Sequence, residues 1–230
     1  MHFDNFVSIL SKKYVYMSDK QKDSKKLAIL KAAQEEFVAK GYDGARTMEI
    51  AEKAGIGHSL LHYHFKTKKE LFKCVVQQKI DLLRQAILVS WTDSDNGLLE
   101  KLSEIIGKHF DFVMENADYL RFQFQEMERH PELFEEIKAA VQAGLRQLSS
   151  ALQEELDRTA AKGAIIQTDA RMLLEDILAL NLFFHLAAPT LHKIECQKCD
   201  KKYYEKRKQE NIALILNRLT PNHQSPITNR

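Results

Sequence analysis

The chain has 230 residues, 44% hydrophobic and 29% charged, which suits a globular protein with a sizeable core and excludes a low-complexity one. Lys and Arg (34) nearly balance Asp and Glu (32), so the net charge of +2 says little and its distribution must carry the information. Eight Gly and four Pro among abundant Leu, Ala, Glu, Lys and Gln favour helix, and no period-two run stands out, so the expected fold class is all-α.

Residues 1–23 read as a flexible extension in which Met17, followed by SDKQKDSKK, resembles a natural start. No small-residue cleavage site follows the N-terminal apolar patch. The longest apolar run, Ile177 to Ala188, is interrupted by Asn181 and His185 and is too short to span a bilayer, so no membrane partner is expected. A first helix is expected over about 24–40, with Ile29, Leu30, Ala33 and Phe37 at helical spacing and Gly41 as its stop. Thr47 is expected to cap a second helix that turns Ile50, Ala51 and Ala54 inward. Gly55 to Gly57 form a turn, and a third helix carries Leu61 and Phe65 on one face. Thr67-Lys68-Lys69-Glu70 is a capping box that opens a long fourth helix over 68–91. Its inner side holds Leu71, Phe72, Val75, Val76, Ile80, Leu82, Leu83 and Ile87, and TDSDNG ends it. Further helices are expected near 97–115, 118–129, 132–162, 169–188 and 201–219. Pro131 fits a first turn, Gly163 an end, Thr168 or Asp169 a cap, and Pro189 a stop. The tail 221–230 is polar, turn-rich and expected to fray.

Residues 46–72 hold the chemistry. Two short helices joined by a glycine turn can brace one helix against a phosphate backbone while the other enters a major groove. Ile50, Ala51, Ala54, Ile56, Leu61 and Phe65 supply the inner face of such a hairpin, and His58, Ser59, His62 and Tyr63 the outer one. Lys66, Lys68 and Lys69 cluster at its exit, where a polyanion would be met. Lys20 to Lys73 contain 12 basic and 7 acidic residues, so the excess positive charge sits at this end while the remainder is mildly acidic. Charge alone would fit a solvated face equally well, and a glycine-turn hairpin also occurs as plain structure. His58 and His62 have a metal-ligand spacing, yet no carboxylate accompanies them on the groove-facing surface, so no metal is expected there.

Thr47-Met48-Glu49-Ile50-Ala51-Glu52-Lys53-Ala54-Gly55-Ile56, followed by Phe65-Lys66-Thr67-Lys68-Lys69-Glu70-Leu71-Phe72, resembles the TetR (tetracycline-repressor-like) family of bacterial transcriptional regulators. Ile29 to Ala33 and Phe37 to Tyr42 resemble that family's first helix, so the likeness covers residues 25–72. It implies an N-terminal three-helix helix-turn-helix domain for double-stranded operator DNA, over 24–72 and extending into helix four. It also implies a helical effector-binding and dimerisation domain over 73–220. The DNA-binding residues would be Arg46, Thr47, Gly57, His58, Ser59, Leu60, His62, Tyr63, His64, Lys66 and Lys68. Gly57, His58 and the stretch His62-Tyr63-His64 depart from the family's usual residues. His64 stands where a phosphate-contacting tyrosine is usual, and Leu60 where threonine or serine is common.

The resemblance further implies a cavity for an unidentified small-molecule effector and a homodimer through the last two long helices. Trp91, Phe110, Met114, Phe122, Met127, Phe184 and His185 are candidate cavity residues, although any one of them taken alone is more often plain core. Leu174, Ile177, Leu178, Ile212, Leu216 and Leu219 form apolar stripes suited to a four-helix interface between protomers, or to burial within one. His192, Cys196 and Cys199 are weak candidates for metal or thiol sensing, which is the alternative reading of the regulator; otherwise no metal is expected. Three cysteines without a disulfide framework indicate a reducing cytoplasm. No HExxH, P-loop or G-x-S-x-G appears, so neither catalysis nor a cofactor is expected. The expected function is that of a ligand-responsive dimeric regulator, a repressor at a palindromic operator.

Overall fold

The structure, a computed structural model, describes residues 20–92, 96–195 and 200–221. Most of the extension 1–23, the centre of TDSDNG, Cys196, Cys199 and nearly all of the tail lie outside the described residues, as does the side chain of His192. The described residues are helical and contain no strand. In chain order the helices are α1 (Lys20–Gly44), α2 (Thr47–Lys53), α3 (His58–His64), α4 (Lys68–Thr92) and α5 (Leu98–Glu115), then α6 (Ala117–Arg129), α7 (Pro131–Ala160), α8 (Ala170–Glu195) and α9 (Lys201–Leu219).

The helix boundaries follow local chemistry. Gly41 interrupts α1 with φ 71° and ψ 171°, a conformation open only to glycine at low cost, so the expected stop is a break after which Tyr42 to Gly44 resume helical form. At the end of α2 the Ile56 amide bonds back to the Ala51 carbonyl and the Gly55 amide to that of Glu52, both at 3.0 Å. Gly55 takes the left-handed conformation that this cap requires. Asp169, rather than Thr168, caps α8 through the Met172 amide at 2.8 Å. The Glu70 amide donates to Thr67 Oγ1 at 3.0 Å, while the Glu70 carboxylate reaches one residue past the usual partner and accepts from the Lys66 amide at 2.9 Å.

Two expectations are corrected. Arg46, extended at φ −118°, holds the cap position of α2, and Thr47 is its first helical residue. Pro189 does not stop α8, which continues to Glu195. Within a helix proline removes one amide hydrogen bond and its ring crowds the carbonyl four residues earlier, a local cost of about 3 kcal/mol that a long helix can carry.

The described residues form two compact units, each with its own core. One comprises residues up to Arg84 together with Asp118–Ala143; the other comprises Gln85–Ala117 and residues from Gly144 on. In the first, Ile29, Ala33, Phe37, Ile50, Leu61, Phe65, Leu71, Phe72, Val75 and Val76 pack with Tyr119 and Phe122 of α6 and Leu133, Phe134 and Ile137 of α7. The rings of Phe37, Phe72 and Phe122 lie 5.3–6.4 Å apart in edge and stacked pairs. Leu82, expected on the inner side of α4, is exposed. In the second unit Leu102 and Ile106 of α5, Leu152 and Leu156 of α7, Leu173 and Ile177 of α8 and Ile215 and Leu219 of α9 form the core.

Candidate nucleic-acid interface

The first unit holds α3 as a rigid projecting rod. Leu61 and Phe65, both 1% exposed, anchor its inner face beneath Ile50 and Ala51 of α2. An ionic cluster fixes α2 to α1: the Glu36 carboxylate is buried and meets Lys40 at 2.8 Å and Lys53 of α2, while Lys40 also bonds Glu49. Burial pushes the Glu36 carboxyl upward, but the hydrogen bonds and charges of Lys40 and Lys53 outweigh it and hold the group down at about 2. The reading hairpin is thereby locked through both apolar and charged contacts.

What remains outward is polar. Arg46, Gly57, His58, Ser59, His62, Tyr63 and Lys66 are exposed, Tyr63 at 67%, while Thr47, Leu60 and His64 are partly so. Gly57 has an ordinary extended backbone at φ −69° with open space beside its Cα, so nothing in the fold demands glycine there. Met48, 70% exposed at the start of α2, joins this surface and was missed because an apolar residue gives no polar signal. The outward residues are already engaged with one another. Thr47 Oγ1 lies 3.0 Å from His58 Nε2, the His58 and His62 rings meet edge to face at 4.4 Å, and the Lys66 ammonium sits 5.6 Å from the Tyr63 ring.

Lys68 is placed differently from the sequence expectation. Its ammonium donates to the carbonyls of Asp43 at 3.1 Å and Ala45 at 3.2 Å and lies 4.8 Å from the Tyr42 ring. These carbonyls end the short helical segment after Gly41, so Lys68 closes that end internally rather than extending toward a phosphate.

The candidate effector residues divide between the units. Phe110 meets His185 edge on at 4.7 Å, and Phe184 lies 5.4 Å from His185. Tyr203 and Tyr204, not anticipated from sequence, complete this cluster around Phe184 and His185. Beside it runs a buried amide chain: Asn211 donates to Asn181 at 2.9 Å, and Asn181 Nδ2 lies 3.0 Å from His109 Nδ1. Burial, with His185 nearby, pushes His109 down to about 4 and keeps it neutral. Its position on the apolar face of α5, one turn after Ile105 and Ile106, was the available sequence signal. Trp91 packs against the core of the same unit. Phe122 and Met127 belong instead to the first unit, Phe122 as core and Met127 as surface, and Met114 is exposed. Phe122 and Met127 therefore lie outside the unit that holds Phe110, Phe184 and His185.

The dimer candidates are also redistributed. Ile177 and Leu219 are buried in the chain's own core, with Leu174, Ile212 and Leu216 packed against it and Leu178 half-buried. Among the described residues of α8 and α9, the exposed apolar ones are Met172, Ala179, Phe183, Ala213 and Leu214. Periodicity locates apolar stripes without telling which part faces inward. Among the described residues no group of three or more His, Cys, Asp or Glu is arranged for a metal, and no helix is long and apolar enough to cross a membrane.

Residues 29–75 match the family model of bacterial regulatory proteins, tetR family. The chain is 32% identical over 127 residues to the HTH-type transcriptional activator FasR of Mycolicibacterium smegmatis, a match covering 53% of this chain and 56% of that protein. It thus spans little more than half the length of that relative. It is 27% identical over 149 residues to IcaR of Staphylococcus aureus, the negative transcriptional regulator of the biofilm operon icaADBC, covering 64% and 73% of the two chains. A Clostridium perfringens putative fatty acid metabolism regulator shares the fold with TM-score 0.62 at 19% identity, over 88% of this chain and all of that one. These relatives are transcription regulators rather than enzymes. With its braced hairpin and projecting third helix, the segment 29–75 carries the N-terminal domain described by the model of bacterial regulatory proteins, tetR family.

Proposed function

We propose that this chain is a cytoplasmic, homodimeric repressor that binds a palindromic operator and is released by a small-molecule effector. The observation that carries the reading is the outward polar face of α3, held over a fully apolar inner face. His58, Ser59, Leu60, His62 and Tyr63 would meet base edges, and Arg46, His64 and Lys66 would meet phosphates. Two copies of α3 in a twofold dimer read two half-sites about 34 Å apart, which accounts for a palindromic site. Met172, Phe183 and Leu214 supply the exposed apolar surface for that dimer. Sequence relatives include both an activator and a negative regulator, and repression is the simpler outcome because an occupied operator excludes other proteins. The effector is an apolar small molecule recognised by the Phe110, Phe184 and His185 cluster; only unequal affinity for two settings of the protein can produce release.

The test is duplex binding across a salt series, followed by anisotropy of a labelled fragment. Phosphate contacts give a steep decline in affinity with salt. No binding at low salt, or binding indifferent to salt, removes the reading.

A further inference from the structure

We infer that Thr47 is a specificity-determining positioning residue: its hydroxyl sets the ring of His58, and through it that of His62, so that both meet base edges in one presentation. The inference rests on the DNA-reading function proposed above and adds to it a source of base preference. Thr47 opens α2 and His58 opens α3, so the 3.0 Å contact between Oγ1 and Nε2 spans the turn of the hairpin. One helical turn on, His62 closes against His58 with ring planes at 84°. Both histidines are exposed, and such side chains ordinarily sample several rotamers. Here the branched Thr47, stiff about its own first torsion, holds one ring and the ring pair holds the other. Entropy that free rings would lose on binding is lost at folding instead.

The chemistry makes this a matter of specificity. A neutral imidazole has one donor and one acceptor nitrogen. With Nε2 hydrogen-bonded to Thr47, the tautomer is coupled to the hydroxyl and Nδ1 takes the complementary role. A donor at Nδ1 suits guanine N7 or O6, and an acceptor suits the amino group of adenine or cytosine. A ring able to exchange tautomers and rotamers offers both and discriminates poorly.

The experiment selects duplexes from a random-sequence pool with the wild-type protein and with Thr47→Val, Thr47→Ser, His58→Ala and His62→Ala. Affinities for the selected duplex and its single-base variants are then compared. Thr47→Val is expected to lose about tenfold of discrimination at the same base pair where His58→Ala loses it, while Thr47→Ser retains it. His62→Ala, which releases the ring from the other side, is expected to blur the same pair, so the inference does not depend on one variant folding. Heteronuclear NMR of the imidazole nitrogens without DNA is expected to show one dominant His58 tautomer in the wild type and an averaged signal in Thr47→Val. Equal weakening of Thr47→Val on every duplex, with base preference intact, would mean a simple phosphate contact and overturns the inference. An unchanged His58 signal overturns it too. A wild type showing no salt-sensitive duplex binding at all defeats the functional reading itself, a different failure.

Discussion

Replacing Lys68 by Met separates an internal brace from a phosphate contact, because the stem is kept and only the ammonium is lost. That ammonium donates to two carbonyls at 3.1 and 3.2 Å and faces the Tyr42 ring at 4.8 Å. Each hydrogen bond contributes about 1 kcal/mol net, and the ring contact about 0.5 kcal/mol at a partly exposed site. Discounting for solvent around the ammonium, the variant should lose about 1–2 kcal/mol, or about 3–6 °C in Tm for a chain of this size. Lys66→Ala is the control, since the Lys66 ammonium is exposed beside Tyr63. That variant should melt normally but flatten the salt dependence of duplex binding by about 0.9 in slope per protomer. Lys68→Met should leave the slope unchanged while weakening binding only as far as it loosens the head. Thermal unfolding and salt titration of a labelled duplex report the two quantities. A Lys68→Met protein with wild-type stability and a flattened slope would refute the assignment.

Gly41→Ala places a Cβ 3.3 Å from the buried Glu126 carboxylate at φ 71° and should cost about 2–3 kcal/mol in urea unfolding, mostly backbone strain that Glu126→Ala does not relieve. Glu36 is held near 2, below its ordinary 4.5, so its stabilisation is complete above about 4.5 and disappears as pH falls toward 2. Glu36→Gln should be less stable at neutral pH and flatter over that window; parallel stability curves would contradict the clamp. His109 is held near 4, below its usual 6.5, so the unfolded chain takes up its proton first and stability falls as pH drops from 6.5 to 4. His109→Gln should remove that slope, as read from urea midpoints against pH. Phe183→Glu and Leu214→Glu, at 67% and 52% exposed positions, should yield folded monomers with much weaker operator binding. Light scattering that still reports a dimer would show that another face is used.

Helix positions were legible because a 3.6-residue repeat and the caps are local properties; the expected 97–115 and 118–129 differ from α5 and α6 by one residue, and 201–219 coincides with α9. The turn was legible for the same reason, since Gly55 serves a positive φ within its own hairpin. Partners distant in sequence were not. Whether Lys68 reaches outward or back to Asp43 depends on where a segment 25 residues earlier comes to rest. Thr47 resembled a cap by type and position, yet its hydroxyl is used by a histidine 11 residues later. The stripe containing Ile177 and Leu219 was visible, but its inward half cannot be told from its outward half until α8 and α9 are placed against α5. Asn181 was noticed as a polar residue in an apolar run; its partners His109 and Asn211 lie 72 and 30 residues away.

The packing of Tyr119, Phe122, Leu133, Phe134 and Ile137 against α1 and α4 bears on how this protein can be re-engineered. A chimera cut after Arg84 and fused to a foreign body would strip the hydrophobic cover from Phe37 and Phe72, and the transplanted reader would aggregate or melt early. The portable cassette is discontinuous, with two further crossovers needed, one before Asp118 and one after Ala143. Recombination between homologues at a single junction should yield soluble hybrids only where the donor and recipient versions of α6 match across that buried aromatic seam.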